Sequence, residues 1–180
     1  MKTLIIGGTG LISTSISRQL LEAGADVTLY NRGVRESRIP EGAKVINGDR
    51  RDYPAFEAQM QEAGPFDTVI DMVGFSPEDA HSVIRAFKGR ITQFIFCSTV
   101  CVYGGPAQHY PIREDEPRVP TGSYGANKGK IEDLLMEAHA RGDFNVTIMR
   151  PSQTYGEGGT IVHTFGWNTA YLDRIRKGKP

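Results

Sequence analysis

The sequence predicts an α/β protein: a doubly wound parallel sheet with helices on both faces. Three observations predict it. Apolar runs of strand length alternate with helix-length segments along the chain. The runs are rich in Val, Ile and Phe without polar alternation, which is how strands buried on both faces read. The links between them are short, as right-handed crossovers between parallel strands require.

Taken in order, the first strand is Thr3–Gly7, followed by a helix over Gly10–Ala23 with Ile12, Ile16 and Leu20 on one stripe. Asp26–Tyr30 and Lys44–Ile46 are the second and third strands. A helix over Pro54–Ala63 leads to the fourth strand, Thr68–Val73, and one over Pro77–Phe87 to the fifth, Gln93–Ser98. Both of these helices open with a proline, which is tolerated in a first turn. A long segment, Gly104 to Gly122, then carries Pro106, Pro111, Pro117 and Pro120; connections of this length in a compact domain are usually functional. The helix Ser123–Arg141 and the strand Asn145–Arg150 follow, and Tyr171–Arg176 has the composition of a further helix.

Composition excludes several function classes. With 180 residues, 39% of them hydrophobic and 23% charged, the chain is sized and mixed like one ordinary globular domain. Lys and Arg number 21, as do Asp and Glu, so no net field draws nucleic acid or an anionic membrane. No apolar run approaches the roughly 20 residues of a membrane span. The start, Met-Lys-Thr-Leu-Ile-Ile-Gly-Gly, leaves no room for a signal peptide, so a cytoplasmic protein is expected. Cys97 and Cys101 have no histidine partners at metal-ligand spacing and read as small buried residues at a strand end; no metal site is expected. His81 and His109 read as surface residues, and Arg113-Glu114-Asp115-Glu116 as a solvated charge run.

The first chemical signal is Gly7-Gly8-Thr9-Gly10-Leu11-Ile12-Ser13, between the first strand and the first helix. Gly7 permits the tight turn, and Gly10 lets backbone approach a pyrophosphate seated at the helix N-terminus. The second strand ends about 20 residues later, where a dinucleotide's ribose is read. That position holds Asn31 and Arg32 rather than Asp or Glu. A carboxylate would repel a 2′-phosphate and a guanidinium would attract it, so NADP is favoured over NAD.

Further motifs occur in a fixed order: Gly48-Asp49-Arg50 after the third strand; Phe94 to Thr99 and then Val102-Tyr103-Gly104 at the fifth; Tyr124 and Lys128 after the proline-rich loop; and Arg150-Pro151-Ser152-Gln153-Thr154-Tyr155-Gly156 at the sixth. Together these resemble the N-terminal part of an extended short-chain dehydrogenase/reductase, the NAD(P)-dependent epimerase/dehydratase family, across nearly the whole chain. The resemblance implies a Rossmann-type domain over 1–160, with 161–180 beginning a substrate lobe that is largely absent. It implies cofactor contacts from Gly7, Thr9, Gly10, Leu11, Ile12, Asn31, Arg32, Asp49, Arg50, Val73, Tyr124, Lys128 and Pro151. It also implies hydride transfer at a carbinol of a nucleotide sugar or similar small molecule, with Thr99, Tyr124 and Lys128 catalytic.

Tyr124 and Lys128 are four apart and share a helix face. A free phenol ionises near pH 10, and a lysine cation beside it is expected to lower that value. Val100 and Cys101 follow Thr99 where the family's 4,6-dehydratases carry an Asp-Glu pair, so epimerase or reductase is expected rather than dehydratase. Ser13 replaces a usual glycine, Cys97 a common serine and Gln153 a usual asparagine. Trp167, Tyr171, Leu172 and Ile175 are expected to leave an apolar patch through which the chain self-associates. The contrasting expectation is a non-catalytic relative, either a dinucleotide-binding redox sensor or an RNA-binding protein of the same fold, which the stretches Asn31-Arg32-Gly33 and Gly48-Asp49-Arg50 also resemble.

Overall fold

The computed structural model describes residues 1–34, 36–156 and 170–179. Six parallel strands form one sheet in the order β3-β2-β1-β4-β5-β6, with β1 Lys2–Ile6, β2 Asp26–Asn31, β3 Lys44–Asn47, β4 Thr68–Asp71, β5 Gln93–Cys97 and β6 Asn145–Met149. The helices are α1 Leu11–Glu22, α2 Tyr53–Glu62, α3 Pro77–Phe87, α4 Ser123–Ala140 and α5 Ala170–Arg176. The strand order reverses between β1 and β4, and in open parallel sheets such a switch point opens a crevice at the strands' C-terminal ends.

Because side chains alternate across a strand, β1 sends Leu4 and Ile6 to one face and Ile5 to the other. The first face is the larger core. There Phe56 and Met60 of α2, Val83 and Phe87 of α3, and Ile131 and Leu135 of α4 pack on Val69, Phe94 and Phe96. Tyr30, Phe56 and Phe87 meet edge to face, with ring centroids 5.1 and 6.3 Å apart. On the second face, Ile16, Leu20 and Leu21 of α1 cover Ile5, Val27, Leu29 and Ile70. The expected two-faced sheet is present, with three helices on one side and α1 on the other among the described residues.

The fully buried side chains of α1 are Ser13 and Ser17 rather than the isoleucine stripe, and the two are linked by Ser17 Oγ donating to the Ser13 carbonyl at 2.8 Å. β4 is two residues shorter than expected, because Asp71 Oδ1 accepts the Val73 N–H at 2.9 Å and turns the chain. At the sheet's edge, β3 is mostly exposed, so its apolar run is not buried on both faces. The 160/161 boundary and Trp167 lie outside the described residues. Leu172 and Ile175 of α5 are exposed. No helix among the described residues is long and apolar enough to cross a membrane.

Candidate active site

A cleft of about 390 Å³ opens at the switch point, a size suited to a small ligand. The turn between β1 and α1 forms its floor. Gly7 has φ +86°, in the region glycine favours, and a Cβ there would stand 2.4 Å from Val73 Cγ1. Ser13 does more than fill the space of a missing glycine: its Oγ donates to the Gly7 carbonyl and accepts the Gly10 N–H, both at 2.8 Å. That pair of bonds closes the turn and fixes the N-terminus of α1.

The cleft brings together Gly7, Thr9, Gly10, Asn31, Arg32, Asp49, Arg50 and Val73, eight of the residues expected to hold a cofactor. Leu11 and Ile12 open α1 and are not among the residues lining the cleft. Asn31 Oδ1 is engaged by the Gly33 N–H at 2.9 Å, while its buried Nδ2 has no partner. Arg32 is exposed at the rim. Asp49 Oδ1 accepts the Arg51 N–H at 2.9 Å. Arg50 is turned inward: its guanidinium lies 4.5 Å over the Phe56 ring, and Nη2 donates to the Asp79 carbonyl at 2.6 Å and reaches Asp71 Oδ2 at 3.4 Å.

Thr99, Tyr124 and Lys128 stand beyond this cleft, and Phe75 joins the two places. Phe75 lines the cleft, its ring centroid is 6.4 Å from that of Tyr124, and the Lys128 ammonium lies 4.8 Å over its face. Asp79 sets this aromatic by accepting the Phe75 and Ser76 N–H groups at 2.8 Å each, which also caps α3. Helix α4 starts close against the end of β5. At Gly125 a Cβ would stand 2.3 Å from the Cys101 carbonyl, so only glycine allows this approach. Thr99 caps the short 3-10 turn Val100–Val102 by accepting the Cys101 N–H at 3.2 Å.

Lys128 is 2% exposed and donates Nζ to the Cys97 carbonyl at 2.7 Å, with the Phe96 ring 4.6 Å away. Burial pushes this ammonium below the usual lysine value, opposed by the field of Asp71. Tyr124 is 47% exposed, and burial of the rest raises its phenol, partly offset by the neighbouring Thr99 hydroxyl. The expected lowering by lysine is therefore not found. The ammonium is turned to a carbonyl and two phenylalanine faces, and lies 6.0 Å from the phenol ring centroid.

Two further expectations are corrected. Cys101 is exposed in the 3-10 turn, whereas Cys97 is buried at the end of β5. His109 is exposed, as expected, with Nδ1 3.3 Å from Glu116 Oε2. Glu116 is not solvated: it is buried, accepts the Gln108 N–H, and is held below the usual carboxylate range first by that bond. Sequence reasoning also missed Phe75, Asp71, Asp79 and Glu132. A carboxylate closing the apolar run of β4, and one eight residues after Tyr124, were the available signals for Asp71 and Glu132.

The family model for the NAD dependent epimerase/dehydratase family matches residues 3–179. The UDP-glucose 4-epimerase of Corynebacterium glutamicum is 32% identical over 89% of this chain and 54% of its own length. The 2'-dehydrokanamycin reductase of Streptomyces kanamyceticus is 26% identical over the whole chain and 50% of its own. Chloroplast stem-loop binding protein of 41 kDa b from Arabidopsis thaliana is 30% identical over 99% of this chain and 48% of its own. In structure, UDP-glucose 4-epimerase from Thermotoga maritima shares the fold with a TM-score of 0.81 at 19% identity, over 99% of this chain and 64% of that one. The chain spans about half the length of the curated relatives it matches. It belongs to the NAD-dependent epimerase/dehydratase family.

Proposed function

We propose that this chain forms the cofactor-holding and proton-transferring part of an NAD(P)-dependent epimerase or reductase acting on a nucleotide sugar or similar carbinol. The observation that carries this reading is the continuity of the glycine-floored cleft, through Phe75, with Tyr124, Lys128 and Thr99.

A dinucleotide fits the residues present. Gly7 and Gly10 leave the floor without side chains at the N-terminus of α1, where a pyrophosphate is stabilised. Asp49 and Arg50 border the adenosine end, Val73 backs the turn, and Pro151 follows β6. At the ribose position Asn31 has already used its acceptor on Gly33, and offers an unpartnered N–H instead. With Arg32 beside it, this arrangement suits phosphate oxygens better than a hydroxyl donor and supports NADP.

The nicotinamide, when bound, supplies the hydride donor or acceptor. Tyr124 exchanges a proton with the substrate oxygen, and Thr99 orients that oxygen from the end of β5. Because burial raises the phenol, Tyr124 is protonated at neutral pH in this structure, the form that delivers a proton to a carbonyl during reduction. Lys128 is held against the Cys97 carbonyl, where its charge lies one helical turn from the phenol.

Replacing Tyr124 with Phe is expected to lower cofactor reduction or oxidation with UDP-glucose by about 10²- to 10⁴-fold while NADPH binding persists. Wild-type rates in this variant would refute the role of the tyrosine. Likeness to the chloroplast stem-loop binding protein favours a second reading as a non-catalytic RNA-binding relative. Net charge of zero gives that reading no electrostatic support.

A further inference from the structure

Glu132 is 1% exposed and lies one turn beyond Lys128 and two beyond Tyr124 on α4. Three other parts of the molecule meet at its carboxylate. Ser98, the residue before Thr99, donates its hydroxyl to Oε1. Arg150, the residue before Pro151, grips both oxygens, with Nε on Oε1 at 3.0 Å and Nη2 on Oε2 at 2.8 Å. Arg118, from the long loop ahead of α4, donates Nη1 to Oε2 at 3.0 Å and Nη2 to Asp133. Arg150 carries the connection further into that loop, donating to the Glu114 carbonyl at 3.2 Å and to the Tyr103 hydroxyl, with its guanidinium 5.0 Å over the Tyr103 ring.

Stability alone accounts poorly for such a cluster. The desolvation of buried charges cancels most of their attraction, and well-packed apolar side chains would hold the elements together as firmly. What a two-pronged guanidinium–carboxylate pair adds is direction, since both bonds are satisfied only in one relative orientation. That orientation fixes the ends of β5 and β6 against the face of α4 that carries Tyr124 and Lys128.

We propose that Glu132 is a positioning residue for Thr99, Tyr124 and Lys128, and that through Arg118 and Arg150 it also seats the loop between Gly104 and Gly122 beside them. The proposal rests on reading those three residues as the proton-transfer site. Glu132→Gln preserves volume, but the amide offers one acceptor oxygen and an NH₂ that opposes a guanidinium, so the two-pronged grip is broken. A shift of about 1 Å in reacting groups costs on the order of 10² in rate.

The test combines crystal structures with kinetics on the same variants. Glu132→Gln is expected to keep its far-UV circular dichroism and its NADPH affinity. Its Thr99 hydroxyl, Tyr124 phenol and Lys128 ammonium are expected to stand about 1 Å from their wild-type places, with kcat for UDP-glucose-dependent cofactor reduction down about 100-fold. Arg118→Ala leaves Glu132 paired with Arg150, so it folds, and is expected to raise KM for the sugar nucleotide while cofactor affinity holds. Should Glu132→Gln not fold, Ser98→Ala carries the same comparison. Superposition of the three site residues in Glu132→Gln, or in Ser98→Ala where Glu132→Gln does not fold, with those of the wild type overturns the proposal. Absence of turnover in the wild type would instead count against the proposed function, and the crystallographic comparison would still decide the positioning role.

Discussion

At the residue scale, the site works by setting the protonation of a few groups through what surrounds them. Lys128 shows this best: the same burial that lowers its ammonium places it where the field of Asp71 and two aromatic faces hold it. Glu132 shows the opposite balance. Burial alone would raise its carboxyl, but the Arg150 and Ser98 bonds outweigh it and hold the group below the usual range. A carboxyl lowered on folding contributes stability above its unfolded value, near pH 4.3, and that contribution is lost as pH falls through the folded value. The stability difference between wild type and Glu132→Gln should therefore be present at pH 7 and shrink below pH 4, as read by urea unfolding across that range. Arg32→Ala is expected to weaken NADPH by about tenfold, roughly the worth of one charge-assisted bond, and to leave NADH unchanged; the readout is a fluorescence titration with each. Residue types with an unmistakable role were legible in the sequence. Gly7 could be picked out by its place between the first strand and the first helix, and Tyr124 and Lys128 through the ordered set of motifs that resembles the family. What spacing could not give was direction. Arg50 reads as a cofactor ligand but turns in toward Asp79 and Phe56, and Lys128 shares a helix face with Tyr124 yet points to the Cys97 carbonyl.

At the scale of elements, two close approaches build the site. The turn after β1 needs the positive φ of Gly7, and α4 needs the missing side chain of Gly125 to lie against Cys101. Gly125→Ala is expected to push α4 from the end of β5 and separate Tyr124 from Thr99, lowering turnover more than it lowers NADPH affinity. Gly7→Ala combines a left-handed φ with a clash on Val73 and is expected to destabilise the fold by about 1–3 kcal/mol, measured as a lower midpoint in urea. The helices and strands themselves were legible to within a residue or two, because apolar periodicity and caps mark them. The misreadings follow from tertiary context. An edge strand such as β3 carries the same apolar letters as a central one, and the carboxylate of Glu116 reads as solvated until the loop folds over it.

At the scale of the whole molecule, the glycine-floored cleft and the trio Thr99, Tyr124 and Lys128 meet at Phe75, at the C-terminal ends of the sheet's strands. The sheet order that creates this arrangement follows from the alternation of strands and helices, so the location of the site was legible where its occupant was not. The central claim is that one dinucleotide lies along this cleft with its phosphates on the glycine turn. Fluorescence titration of the protein with NADPH and with NADH tests it most directly. The account predicts saturable binding of one equivalent, tighter for NADPH, and weakened for both in Gly7→Ala that remains folded. Saturable binding of neither nucleotide, or binding that Gly7→Ala leaves untouched, would contradict it.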